Sequence, residues 1–295
     1  MMAQGEVTGF SRQKAGLLAS VASLTLLQIG NAVAVGLIGS VGPAGATVLR
    51  IGIAALLTLP LIFLMKSSAR VPARLILKYG LVLGLMQVTF YQAISTIDLS
   101  LAVSIEFTVP LVLGCLRSRN TTARLAAVLA VAGLFMIPAY NSTTAIEGML
   151  FAAATGLLLA AYIRVGTSMP ADNHPALTLC KGLWVALPIS VAAFAVAPQH
   201  ALPLTGELWL HALIVSVLTL LAPFGLELFA MKRLRGFVFA LIAALDPALA
   251  STMGALALHQ GLDLRQVGGI VLLTVCAGVA VYAESSTSPE KVTVS

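Results

Sequence analysis

Two residues stand four apart near the middle of the run L-S-L-A-V-S-I-E-F-T-V-P-L-V-L-G-C-L-R-S-R, Leu99 to Arg119: Glu106 and Pro110. The rest of the run is apolar and long enough to cross most of a bilayer. A carboxylate at the bilayer centre costs about 2.5–3.5 kcal/mol on insertion scales, so a helix needed only as an apolar rod would not carry one. Pro110 has no N–H, and its ring crowds the carbonyl four residues back, which belongs to Glu106 itself. The spacing therefore predicts a helix that opens or kinks at its charged residue. Irregular backbone at that depth is tolerated only where it is buried in protein or lines a cavity. Two chemistries fit: Glu106 exchanges a proton for a ligand's ammonium group in a cavity, or it makes a structural hydrogen bond to a neighbouring helix.

Other polar residues sit in apolar surroundings. Arg50 lies inside a second apolar run, where its planar guanidinium could hold a carboxylate, or could snorkel outward or pair with an acid to pin helix packing. Glu227 precedes Lys232 and Arg233 by a little over one helical turn. It reads equally as an inner gate or proton acceptor and as a salt-bridge partner at the membrane edge. Asp246 precedes Pro247, a position biased away from helical geometry, so it either binds a ligand or caps a helix restarting at the proline. Gln28 and Asn31, at i and i+3, share a face, and Gln87, Tyr91 and Ser95 share another at i, i+4 and i+8. Such faces glue helices together or line a pathway. Gly80 and Gly84 form a small-xxx-small pair suited to close helix packing. The four histidines and three cysteines show no metal-ligand spacing, and no cofactor is expected. G-x-x-x-x-G-K-[ST], G-x-S-x-G and H-E-x-x-H are all absent, which argues against a nucleotide-driven pump and against an enzyme.

Composition says what must position these groups. The 295 residues are 59% hydrophobic and 9% charged, where a soluble domain carries about 25% charge. The expectation is an all-α polytopic membrane protein. Barrel strands would alternate apolar and polar over roughly 10 residues, whereas these runs are continuous. Ten spans are expected, near 15–38, 44–65, 75–96, 99–117, 122–139, 148–167, 175–196, 208–231, 236–257 and 265–283. With the N-terminus inside, 14 of the 17 Lys and Arg fall on the cytoplasmic side and only Arg265 in an outer loop. That asymmetry places both termini in the cytoplasm. The net charge of +6 thus reflects topology, and no nucleic-acid partner is expected. The lipid bilayer is the first partner, while monomer and homodimer both remain open.

An offset of 137 superposes Pro110 on Pro247, Ala93 on Ala230 and Ile105 on Ile242, and sets Glu106 against Asp246 in the order acid, then proline. The expected organisation is two five-helix repeats, 1–139 and 140–284, followed by a polar tail, 285–295. An odd number of spans per half inserts the two repeats in opposite orientations, as in secondary transporters with broken helices and a midplane site.

These residues also carry a family resemblance. E-F-T-x-P-L at Glu106 to Leu111, Ser118-Arg119, Gln28 with Gly42 and Gly45, Leu49-Arg50, Ala160 and Tyr162, Leu226-Glu227, and D-P-A-L-A at Asp246 to Ala250 resemble the EamA type of the drug/metabolite transporter superfamily. Within it, the amino-acid exporters for threonine- and homoserine-like solutes are the most similar. The resemblance implies a ten-helix inverted repeat in the bacterial inner membrane. It also implies proton-driven export of a small zwitterionic metabolite, with Tyr162 joining the candidate binding residues. Exporters of hydrophobic drugs or aromatic metabolites share the fold and are the alternative; a non-transporting sensor or scaffold is the contrasting class. Where the family often has Glu before the second-half proline this chain has Asp246, and where a Gly-Glu pair closes that span it has His259-Gln260. Val35 and Leu159 replace a lysine and a tryptophan seen among the amino-acid exporters.

Overall fold

In the computed structural model the described residues are 2–64, 71–117, 120–137, 143–169, 174–197, 205–231, 233–234, 238 and 242–287, and all their regular structure is helical. The expected repeat boundary at residues 139–140, the bases Lys66, Arg70, Arg119, Lys232, Arg235 and Lys291, and most of the polar tail lie outside them. The helices are α1 (Met2–Leu64), α2 (Ala73–Ile94), α3 (Leu99–Arg117), α4 (Thr121–Met136), α5 (Thr143–Thr167), α6 (Pro175–Val196), α7 (Gly206–Ser216), α8 (Ala222–Met231), α9 (Asp246–Ala257) and α10 (Leu264–Thr287). A single π-helical turn, Val217–Leu221, joins α7 to α8.

Among the described residues, seven helical segments are long and apolar enough to cross a membrane. The difference from ten expected spans has three sources. The first two spans form one 51-residue segment, Lys14–Leu64. The fifth is the shorter apolar helix Thr121–Met136. The ninth is described as regular helix over Asp246–Ala257 only, 12 residues. The long first segment is not straight. Gly42 has φ 72° and ψ 166°, a region essentially closed to residues with a Cβ, and Pro43 follows it. The G-S-V-G-P sequence thus breaks one helix where two spans were expected to meet.

Two prolines act more mildly than their spacing predicts. α3 runs through Pro110. The disturbance is confined to the Glu106 carbonyl, which has no proline N–H to accept from. Asp246 is helical, and Leu245 before it stays in the right-handed region at φ −81°, ψ −8°. The backbone bonds from Leu245 N–H to the Ile242 carbonyl and from Leu249 N–H to the Leu245 carbonyl carry the chain through the turn.

Helix contacts close into a ring. α1 packs on α9, α9 on α3, α3 on α5, α5 on α2, α2 on α6, α6 on α1, and α1 again on α7, the π turn and α8. α4 and α10 pack on each other outside the α3 edge. Glycines set the closest approaches. A Cβ on Gly80 would lie 2.6 Å from the Gly182 carbonyl oxygen, and one on Gly84 3.0 Å from Ala186 Cα, so the small-xxx-small pair on α2 is the α6 interface. Gly133 and Gly269 face each other's carbonyls between α4 and α10, with added Cβ atoms at 2.8 and 2.5 Å.

Candidate functional site

The acidic side of the ring is built where α9 meets α3 and α1. Glu106 on α3, Asp246 on α9 and Glu227 on α8 are all half-buried, while most polar residues around them are buried. The Asp246 carboxylate is an electrostatic neighbour of both glutamates. It accepts a hydrogen bond from Gln28 Nε2 at 2.7 Å, and Asn31 Nδ2 donates to Gln28 Oε1 at 3.4 Å. The i, i+3 pair on α1 is therefore the holder of Asp246. Asp246 was open between capping and binding; the cap position of α9 falls on Leu245, and the Asp246 side chain points across to α1.

Glu106 has no side-chain hydrogen bond among the described residues, so the structural bond that competed with a cavity role is not made there. Its carbonyl instead faces Gly156 of α5, where an added Cβ would come within 2.6 Å of the oxygen. The proline leaves a free acceptor, and a glycine on the opposing helix lets backbone approach it. Below it in the same helix, the Ser104 and Thr108 hydroxyls donate back to the Ser100 and Ser104 carbonyls at 2.6 Å, keeping this stretch of α3 polar yet internally satisfied.

Arg50, on the second arm of α1, joins that helix to α2 and the π turn. It is 1% exposed. Nη1 donates to Thr219 Oγ1 at 2.9 Å, Nη2 donates to Gln87 Oε1 at 2.5 Å, and the guanidinium carbon sits 3.9 Å from the Tyr91 ring centre. The Ser216 hydroxyl, whose single proton is shared between the Ala212 and Arg50 carbonyls, lies 2.9 Å from the Arg50 oxygen. No carboxylate among the described residues pairs with Arg50, and its Nε is buried without a partner. The Gln87–Tyr91–Ser95 face does not form a continuous pathway wall. Gln87 and Tyr91 clamp Arg50, whereas Ser95 is exposed and donates to the Gln92 carbonyl.

Tyr162 belongs to neither group. Its ring lies 5.4 Å from Tyr79 and edge-on at 5.9 Å from Phe224, and the two tyrosine hydroxyls are 3.4 Å apart. The Glu227 carboxylate is within electrostatic reach of both hydroxyls. Arg233 does not neutralise Glu227: it stacks on Phe229 and donates to the Phe229 carbonyl at 3.2 Å. Pro247 is buried at the start of α9, and Pro110 is half-buried.

Thr219, Ser216 and Tyr79 were not singled out from sequence. Ser216 and Thr219 are i, i+3 hydroxyls in an apolar span, the same signal that marked Gln28 and Asn31, but hydroxyls in a helix usually satisfy their own backbone. Both do so here, donating to the Ala212 and Val215 carbonyls. The departure His259-Gln260 also finds its place. His259 takes φ 52°, the left-handed geometry a glycine supplies most easily, and the Gln260 N–H closes onto the Gly254 carbonyl at 3.0 Å.

Residues 146–282 match the EamA-like transporter family. The threonine/homoserine exporter RhtA of Salmonella typhimurium (strain SL1344) is 31% identical over 276 residues, covering 90% of this chain and 88% of that protein. The threonine/homoserine exporter RhtA of Escherichia coli (strain K12) is 31% identical over 284 residues, covering 91% and 92%. A solved crystal structure at 18% identity superposes with a TM-score of 0.65 over 94% of this chain and 99% of its own, a likeness of fold.

Proposed function

This chain belongs to the EamA-like transporter family, and on that premise we propose that it exports small amino acids of the threonine or homoserine type from the cytoplasm, driven by the proton gradient. The observation that carries the reading is the set of half-buried carboxyl groups, Glu106, Asp246 and Glu227, gathered where α3, α8 and α9 face the polar side of α1. A carboxylate cluster inside a membrane protein serves either cations or protons. A zwitterion offers an ammonium group, and Glu106 exchanges it for a proton. Because one carboxylate cannot hold both, outward movement of the ammonium is tied to inward movement of the proton. Glu227, beside the Tyr79–Tyr162 pair, relays that proton on the cytoplasmic side.

The proposed frame is ten crossings in the bacterial inner membrane, with both termini cytoplasmic and two inverted five-helix repeats rocking about the ring. The break at Gly42 supports two passes in Lys14–Leu64, since about 76 Å of straight helix is more than twice a 30 Å hydrocarbon core. The helix packing supports the repeat. Exchanging halves turns the α3–α5 contact into α9–α1 and the α2–α6 contact into one between α7–α8 and α1, and all four occur.

The aromatic-metabolite reading draws on Tyr79, Tyr162 and Phe224, but these rings are buried against one another and leave no face open. Flux of threonine and homoserine in proteoliposomes, with and without an imposed pH gradient, tests the assignment. Gradient-driven flux is expected in the wild type, with a loss of at least ~10-fold in Glu106→Gln. Full gradient dependence in that variant would sink the mechanism.

A further inference from the structure

A guanidinium taken fully out of water needs a counter-charge, because the desolvation of an ion is several kcal/mol even after relaxation. Among the described residues the Arg50 guanidinium has neutral oxygen partners alone, those of Gln87 and Thr219, with the Tyr91 ring against its face. The guanidinium also keeps one N–H, at Nε, that is buried and without a partner. Buried unsatisfied groups are rare in folded proteins, and an unpaired N–H on a desolvated cation points to an acceptor from outside the chain. The group is cationic, and the chemical class that suits it is a carboxylate, whose two oxygens match the guanidinium fork.

Its place in the ring fits the same ligand. Arg50 bridges α2 and the π turn, while Glu106 and Asp246 sit at the α3–α9 contact. The α1 helix runs between them, with Gly30 against Thr219 and Gln28 on Asp246. A zwitterion that engaged both would set its ammonium group at the carboxyl groups and its carboxylate at Arg50. Thr219, one of the two neutral acceptors, is carried by the π turn Val217–Leu221. Such single turns inside α-helices are frequent at functional sites.

Resting on the amino-acid reading above, we propose that Arg50 is the subsite for the transported amino acid's carboxylate, and that the guanidinium exchanges Thr219 and Gln87 for that carboxylate as the π turn relaxes. In the geometry described here the clamp is closed and Arg50 is occupied by its own neutral acceptors.

The test is competition for radiolabelled threonine transport in proteoliposomes, using unlabelled threonine and threoninol, which has an alcohol in place of the carboxylate. Wild type is expected to prefer threonine by about 100-fold, as sites built to pair a polar group reject analogues lacking it. Arg50→Gln is expected to raise the KM for threonine and to bring the two competitors within a few-fold of each other, while Arg50→Lys restores part of the preference. Thr219→Val, which removes a competing acceptor, is expected to lower the KM for threonine; it serves where Arg50→Gln does not fold. Threonine transport with threoninol an equal competitor in wild type would overturn the subsite and leave the exporter reading standing. So would an unchanged KM and preference in Arg50→Gln, or, where Arg50→Gln does not fold, an unchanged or raised KM in Thr219→Val. Wild type that moves neither threonine nor homoserine would overturn both.

Discussion

Each candidate residue is defined by what its neighbours leave unsatisfied. Asp246 has one neutral donor, Gln28, and two acidic neighbours. Asp246→Asn keeps the hydrogen-bond acceptor and removes the charge. It is expected to cut gradient-driven efflux by about 10-fold or more while sparing exchange of labelled for unlabelled substrate across the same membrane. Equal loss of both fluxes would assign Asp246 to binding and not to coupling. Gln28→Leu strips the donor from Asp246 and should cost about 1–3 kcal/mol, the penalty of an orphaned buried acceptor, read as a fall in the thermal midpoint of the purified protein. Sequence marked Gln28 and Asn31 by spacing alone. That Gln28 reaches 218 residues along the chain to Asp246 was not legible, because nothing local records which face of α1 meets α9.

At the level of elements, backbone exceptions locate the joints. Gly156 lets α5 approach the free carbonyl that Pro110 leaves on Glu106. Ala in a helix interior ordinarily gains up to about 1 kcal/mol over Gly. Gly156→Ala is nevertheless expected to destabilise by about 1–3 kcal/mol, because the added Cβ meets main-chain oxygen and a β-branched side chain that cannot swing away. A rise in the melting midpoint would refute the close approach. His259 gives the opposite sign. It holds a left-handed conformation at the end of α9, so His259→Gly is expected to stabilise by about 1 kcal/mol by relieving that strain. The sequence comparison placed His259 where relatives carry Gly, so the position was visible in advance. Its backbone geometry was not.

For the whole molecule, charge and apolar length set the topology. On the proposed ten-span frame, 14 of 17 Lys and Arg fall on alternate connections, which is expected to orient the array with both termini in the cytoplasm. Fusing a reporter that fluoresces only in the cytoplasm to the C-terminus is expected to give signal, while a periplasm-dependent enzyme at the same point is expected to stay inactive. The reverse pattern would mean an odd number of crossings. The described helices read as seven apolar segments because Gly42 bends one long helix and two other spans are short as regular helix. The break itself was marked by Gly42-Pro43, since glycine alone accepts that φ, ψ pair.

Sequence by itself determined the class of this protein, where its apolar runs lie and which ionisable groups stand inside them. These are local quantities: a residue's transfer cost and its helical spacing are fixed by its neighbours in the chain. It also placed the chain in its family, through strings around Glu106 and Asp246 that remain contiguous. Tertiary structure alone decided the partners. It set the three carboxyl groups together near Gln28, gave Gln87 and Tyr91 to Arg50, and sent Tyr162 to Tyr79 and Phe224. From sequence Arg50 was open between snorkelling, pairing with an acid and binding a carboxylate. Only the packing of α2 and the π turn around it, which depends on contacts 37 and 169 residues away, left its guanidinium buried among neutral oxygens.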